Sequence, residues 1–153
     1  MTEKAPIVQY EDWVPAMGDP VISDDLIIEA EQRLGFKIPE EYTELLRQQN
    51  GGFLKPNRVR VSRFTRCVGM LYGLGLEGGI DSFSYGEVLN RFLIQEWGYP
   101  ENSLVICHYG HGGFALELGD KRPVVYCDAE LPKVKHYRVA DSLAEFVQKI
   151  RYV

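Results

Sequence analysis

The feature that most constrains this chain is a pair of short helical stripes cut apart by glycine and proline between residues 23 and 52. Leu26, Ile27, Ala30 and Leu34 recur at helical spacing after Ser23, a good N-cap, with Asp24 and Asp25 in the first turn where they complement the helix dipole. Gly35 ends that stripe at the position where a positive φ is cheap only for glycine. Pro39 then suits a first helical position, because the N–H it lacks would be an orphan there. Glu40 and Glu41 follow it, and Tyr42, Leu45, Leu46 and Gln49 form a second stripe that Asn50-Gly51-Gly52 stops. The pair is short and tightly connected. It is a poor match to a DNA-reading helix–turn–helix, since its second helix carries Glu40, Glu41 and Glu44 against Arg47, the wrong sign for phosphate.

Beyond Lys55-Pro56-Asn57 the period changes. Arg58-Val59-Arg60-Val61 alternates as a strand does, and the apolar run over 67–72 reads as a second strand. A glycine-rich loop spans 73–79. Ser84 and Glu87 have the spacing of a capping box, with Val88, Leu89, Phe92 and Leu93 as the apolar side of a third helix that ends at Gly98 and Pro100. Four strands are predicted at 103–108, 114–118, 124–128 and 134–139, joined by turns short enough to make them antiparallel. Ser142 and Glu145 form another capping box before a last helix bearing Leu143, Phe146, Val147 and Ile150. Segregated helices and strands predict an α+β fold, not a doubly wound α/β one. Residues 1–21, with Pro6, Pro15, Gly18 and Pro20, read as an irregular arm that Trp13 and Val14 pin to the body, and 22–153 as one domain.

Composition excludes several classes. The chain has 153 residues, 45% of them hydrophobic and 25% charged, which is ordinary for a globular domain. No stretch approaches the ~18–20 apolar residues of a membrane span. The first ten residues lack the basic-then-apolar pattern of a secretory signal. Three cysteines without a CxxC pair do not make a disulfide framework. A cytoplasmic monomer or small homo-oligomer is expected, without metal or cofactor. The net charge of −5 is uneven: residues 1–44 hold eleven acids and three bases, net −8, and the remainder is net +3. An acidic segment repels nucleic acid and attracts basic partners, although it also serves solubility.

At this point the sequence resembles a known family. In IEAEQRLGFKIPEEYTELLRQQNGG (28–52), Glu31, Leu34, Gly35, Ile38, Pro39, Tyr42, Leu46, Asn50, Gly51 and Gly52 stand where the SUKH superfamily, the Smi/Knr-like proteins, carries its opening signature. EWGYPENSLVICHYGHGGFALEL (96–118), VVYCDAE (124–130) and VADSLAEFVQKI (139–150) resemble three further family motifs in the same order. The resemblance covers roughly residues 22–150. It implies helices packed on a bent, mainly antiparallel sheet, and a non-catalytic protein-binding module. Many bacterial members resemble immunity proteins that neutralise a cognate toxin, often a nuclease, whereas eukaryotic members are similar to regulators of cell-wall synthesis. The motif residues transfer fold better than they transfer a site.

Other chemistry is poorly supported. Gly73-x-Gly75-x-x-Gly78 matches the dinucleotide fingerprint by letter, but no helix opens at its last glycine. Cys107, His108, His111 and Cys127 are zinc-ligand types, yet adjacent Cys107 and His108 point to opposite faces of a strand. Cys127 reads as a small buried hydrophobe, and His111, in a glycine turn, as exposed. Cys107, His108 and His136 supply the residue types of a thiol hydrolase without its local signature. Lys55, Arg58, Arg60, Arg63 and Arg66 form a basic stretch in which Arg58 and Arg60 share a strand face. Such a face suits phosphate or an acidic partner, and equally an edge guarded by charge.

The expected function is that of a protein-binding module, an immunity protein against a bacterial toxin; the alternative is an adaptor for an endogenous protein. Candidate partner-binding residues are Asp24, Asp25, Glu40, Glu41, Glu77, Asp81, Tyr85 and His111, with the segment 73–85, rich in glycine and aromatics, as a recognition element.

Overall fold

The structure, a computed structural model, describes residues 13–14, 21–55, 57–130 and 133–150. Most of the expected N-terminal arm, with Pro6, Pro15, Gly18 and Pro20, lies outside the described residues. Within it, β1 (Trp13–Val14) pairs antiparallel with β2 (Phe53–Leu54).

Helix α1 (Asp24–Leu34) starts and stops as its sequence predicts. The Ser23 hydroxyl accepts from the Leu26 N–H at 3.2 Å, and Gly35 takes φ 84° at the C-terminal end. Helix α2 (Glu40–Gln48) differs from expectation by one residue: Pro39 is its N-cap, with ψ 133°. Its carbonyl accepts from Tyr42 and Thr43, so proline serves here by fixing φ one step outside the helix. Asp24, in the first turn of α1, is ion-paired with Arg47, in the last turn of α2, so the two helices run antiparallel.

Strands β3 (Arg58–Val61) and β4 (Phe64–Cys67) form a hairpin. The strand expected over 67–72 is not there: β4 ends at Cys67, and the apolar run beyond it is buried chain whose backbone is satisfied piecemeal. Gly52 and Leu71 exchange hydrogen bonds, and the Tyr72 N–H donates to the Ile106 carbonyl at 2.9 Å. The capping box expected at Ser84 and Glu87 is also absent. Those residues pair across a second hairpin, β5 (Phe83–Ser84) and β6 (Glu87–Val88), whose turn is Tyr85-Gly86 with φ 56° and 88°. Two consecutive positive φ angles are the mark of a type I′ turn. Helix α3 (Leu89–Trp97) follows directly, without a side-chain cap, and ends at Gly98 with φ 83°.

Strands β7 (Ser103–Tyr109), β8 (Gly112–Glu117), β9 (Val124–Asp128) and β10 (Lys135–Ala140) form an antiparallel meander in the order β10-β9-β8-β7. The outer edge of β7 carries no fifth strand among the described residues; it is held by the main chain at Tyr72 and by one side chain. Asn90 of α3 donates to the Ser103 carbonyl at 3.0 Å and accepts from the Val105 N–H at 2.8 Å. Helix α4 (Leu143–Lys149) keeps the serine half of its capping box, with Ser142 accepting from the Glu145 N–H, while Glu145 reaches one residue further back and accepts from the Asp141 N–H.

The sheet is covered on both faces. On one, Phe146 of α4 packs against Phe114, and Phe64 of β4 lies edge-on to Tyr126 and Tyr137. On the other, Trp97 at the end of α3 packs on His108, and the Tyr99 hydroxyl bonds His108 Nδ1 at 2.7 Å. Tyr42, Leu45, Leu46, Leu104, Ile106, Leu116 and Leu143 are fully buried between helices and sheet. Each such side chain contributes roughly 1.5–3 kcal/mol by leaving water. The arrangement is α+β, as the sequence predicts. No helix among the described residues is long and apolar enough to cross a membrane.

Candidate functional site

The stop signal Asn50-Gly51-Gly52 turns out to be a tertiary joint. The Asn50 side chain donates to the Leu74 carbonyl at 2.8 Å and accepts from the Leu74 N–H at 2.9 Å. A Cβ on Gly73 would lie 2.4 Å from the Asn50 carbonyl oxygen, and one on Gly51 would lie 2.6 Å from the Gly73 nitrogen. Glycine is required at both because two backbones touch. Sequence reading saw these residues as a helix stop and a loose loop. The cue that joins them is an Asn-Gly-Gly stop and a Gly-x-Gly loop in one short chain, which becomes specific only once their contact is known.

From this joint the loop 73–81 runs along α1. Leu26 packs against Gly75 near one end of the helix, and Arg33 pairs with Asp81 at 3.1 Å near the other. Asp81 is only 1% exposed, and its second oxygen accepts from the Gly75 N–H at 2.9 Å. The expectation that Asp81 meets a partner is therefore corrected: its carboxylate is consumed in holding the loop to the helix. Glu77, at the outer bend of the same loop, is exposed. Tyr85 is 84% exposed at the tip of the β5–β6 hairpin, and Phe83 is 71% exposed beside it. Phe83 falls within the segment 73–85 expected as a recognition element, where sequence reasoning singles out Tyr85 alone of the two aromatics.

The four helical acids do not form one patch. Asp24 and Asp25 lie at the start of α1 and Glu40 and Glu41 at the start of α2, and the helices are antiparallel, so the pairs sit at opposite ends. An 11-residue helix separates them by about 16 Å. Asp24 is tied to Arg47 at 2.6 Å, and Glu41 to Arg122 at 2.6 Å. Asp25 and Glu40 are exposed and make no ion pair among the described residues. Part of the −8 is thus neutralised internally, and part falls on residues 1–20, outside the described set.

His111 is exposed in the β7–β8 turn and lines a groove of about 340 Å³ with Arg58, Arg66, Tyr109, Asp128 and Glu130. This groove joins two features that are remote in sequence, the basic stretch and the glycine turn. Arg66 is spoken for: its guanidinium lies 4.0 Å over Phe64, and its Nε donates to the Tyr126 hydroxyl at 3.1 Å. A larger pocket of about 560 Å³ beside Glu41 is bridged by the Glu41–Arg122 and Arg138–Asp141 pairs.

Of the residues with thiol or imidazole chemistry, Cys107 and Cys127 are buried, His108 is half-buried, and His111 and His136 are exposed. Burial pushes the Cys107 and Cys127 thiols up to about 12, far from the reactive thiolate form. Burial also lowers the His108 imidazole below its ordinary value and raises Tyr99 well above its own, and the two share a hydrogen bond between the Tyr99 hydroxyl and His108 Nδ1. His136 stands opposite Cys127 across the β9–β10 ladder, and both bond the Gly98 carbonyl, His136 Nε2 at 2.7 Å and Cys127 Sγ at 3.6 Å. Among the described residues, no group of three or more His, Cys, Asp or Glu is placed to hold a metal ion. The Gly73-x-Gly75-x-x-Gly78 loop leads into the β5–β6 hairpin, so it offers no helix N-terminus to a pyrophosphate.

The model of the SMI1/KNR4 family, SUKH-1, matches residues 21–149. The chain belongs to the SMI1/KNR4 family. The match runs from the start of α1 to the end of α4, the same span in which the antiparallel sheet and its helices are built. Nothing among curated proteins or solved structures matches the chain. Membership in SUKH-1 is consistent with a protein-binding module, and residues 28–52, which resemble the family's opening signature, build most of the α1–α2 pair and the Asn50 joint.

Proposed function

We propose that this SUKH-1 chain is an immunity-type protein that binds and neutralises a cognate bacterial toxin with a basic surface, as a nuclease has. The observation that carries the reading is the loop 73–81 laid along α1. Asp25 and Glu29 lie one turn apart on α1 and Glu77 lies on the loop that the part-buried Arg33–Asp81 pair fastens to that helix; all three acids are exposed, and Glu29 also pairs with Arg33 at 2.5 Å. Exposed acids of this kind attract a basic partner and disfavour nucleic acid. The module acts by occupying the toxin, with no bond made or broken, in the cytoplasm where a nuclease toxin would act.

The test is to read the neighbouring genes for a toxin domain and to co-express any such domain with this chain. Protection and a complex weakened by salt are expected. Charge reversal at Asp25 and Glu77 is expected to raise Kd roughly tenfold or more, and reversal at Glu40, on the far end of the helix pair, to change it little. Full protection by the Asp25 and Glu77 variant would sink the electrostatic reading. A housekeeping partner with no toxin gene nearby would favour the adaptor.

A further inference from the structure

Tyr85 is in an unusual place. Type I′ turns take Asn, Asp or Gly where φ is positive, and a bulky side chain at φ 56° costs energy that the turn itself does not require. One face of the Tyr85 ring is stacked on Phe92, with centroids 4.5 Å apart and planes 20° apart, while the residue remains 84% exposed. The other ring face is therefore open to solvent, and Phe83, 71% exposed, stands two residues away. The hairpin that carries them is firmly seated. The Leu89 N–H donates to the Ser82 carbonyl at 2.8 Å, the Asn90 N–H donates to the Ile80 carbonyl, and Asn90 is itself locked to the edge of β7.

We propose that the Tyr85–Phe92 stack, with Phe83, is an aromatic anchor that takes an arginine or lysine side chain of a basic protein partner. The open face of a tyrosine carries negative π-density and attracts a cation within about 6 Å. Among the charged side chains between residues 76 and 97, Glu77, Glu87 and Glu96 reach solvent against Arg91, and Asp81 is buried, so the exposed charge of this stretch is net negative. The molecule already makes this contact internally, with Arg66 held over Phe64. At the hairpin the aromatic half is present and the cation is left to the partner. Aromatic anchors ringed by weaker polar contacts are the usual centre of binding energy in protein interfaces. The proposal rests on the protein-binding reading, and it does not require the partner to be a toxin.

Two measurements test it. Thermal unfolding of Tyr85→Asn and Phe83→Ser reads whether the aromatics serve the fold; Tm is expected to fall by no more than about 2 °C, and a fall beyond about 4 °C would overturn the anchor. The second is NMR titration with a short Arg-Gly repeat peptide and with the same peptide carrying neutral citrulline for arginine. The arginine peptide is expected to shift the ring signals of Tyr85 and Phe92, the citrulline peptide at least fivefold less. Tyr85→Leu is expected to abolish the shifts, and Tyr85→Phe to keep them. Shifts confined to α1 and unchanged in Tyr85→Leu would mean general electrostatic attraction and overturn the proposal. If a neighbouring toxin domain is not bound but the peptide still binds at the hairpin, the immunity reading fails and the anchor stands. If the toxin binds Tyr85→Leu with unchanged Kd, the anchor fails and the immunity reading stands.

Discussion

Residues 73–81 and 83–88 are neighbours in the chain and opposites in physics. In the first segment Leu74 and Ile80 are fully buried, and its buried polar groups are taken up by Asn50, Asp81 and backbone partners. In the second, a two-residue-per-strand hairpin exposes Phe83 and Tyr85 and holds Tyr85 at a positive φ. A buried polar group without a partner costs about 1–3 kcal/mol, which accounts for the completeness of the first segment. No such pressure acts on the second. Its aromatics remain mostly in solvent, the exposure on which the proposed anchor rests.

The sharpest way to break this contrast is at Asn50. Asn50→Ala strands the N–H and C=O of Leu74 in the interior, and a loss of about 2–4 kcal/mol is expected by urea unfolding. A loss below ~1 kcal/mol would mean that the joint is not the support assigned to it. Next comes Asp81→Asn, which keeps an acceptor for Gly75 and removes the charge facing Arg33. About 1–2 kcal/mol is expected, and a cycle with Arg33→Ala should show clear non-additivity because the two side chains share the bond.

A milder probe uses pH. His108 has its folded-state value lowered by burial, so the unfolded chain takes up the proton first. The stability it contributes is complete above the ordinary imidazole value, about 6.5, and falls as pH drops from there toward the folded value. Urea midpoints at pH 7.5 and 5.5 should differ more in the parent chain than in His108→Gln; equal slopes would remove the assignment. The smallest effect belongs to the hairpin. Phe83→Ser is expected to change stability by no more than about 0.5 kcal/mol, as an exposed position does. A loss comparable to that of Asn50→Ala would erase the distinction between the two segments.

Much of the fold was legible. Ser23 and Gly35 bound α1, Ser142 and Glu145 open α4, Arg58–Val61 alternates as β3, and the four meander strands fall within two residues of their predicted ends. These depend on local chemistry: caps, glycine φ and period-two alternation. The misreadings have a common cause. S-x-x-E is the spacing of a capping box and also of the two positions flanking a two-residue hairpin turn, so Ser84 and Glu87 fit both, and only the contact of Leu89 with Ser82 decides. The run 67–72 is apolar because it is buried, and an apolar run does not say whether its backbone pairs in a ladder or one bond at a time. Of the candidate partner residues, Glu77, Tyr85 and His111 are where an exposed role needs them; Asp81 is not, since one charge in a sequence looks the same buried or solvated.

The sequence by itself determined the α+β class, the boundaries of α1 and α4, the antiparallel meander and the family to which its motifs belong. It also determined that the charge is uneven. Only the tertiary structure decided where that charge acts. The antiparallel packing of α1 on α2 sends the two acidic pairs to opposite ends, Arg47 and Arg122 neutralise one member of each, and Arg33 draws Asp81 inside. Caps and periodicity are settled within four residues of chain. The sign and position of a surface field depend on pairs formed across 23, 48 and 81 residues, which no local pattern records.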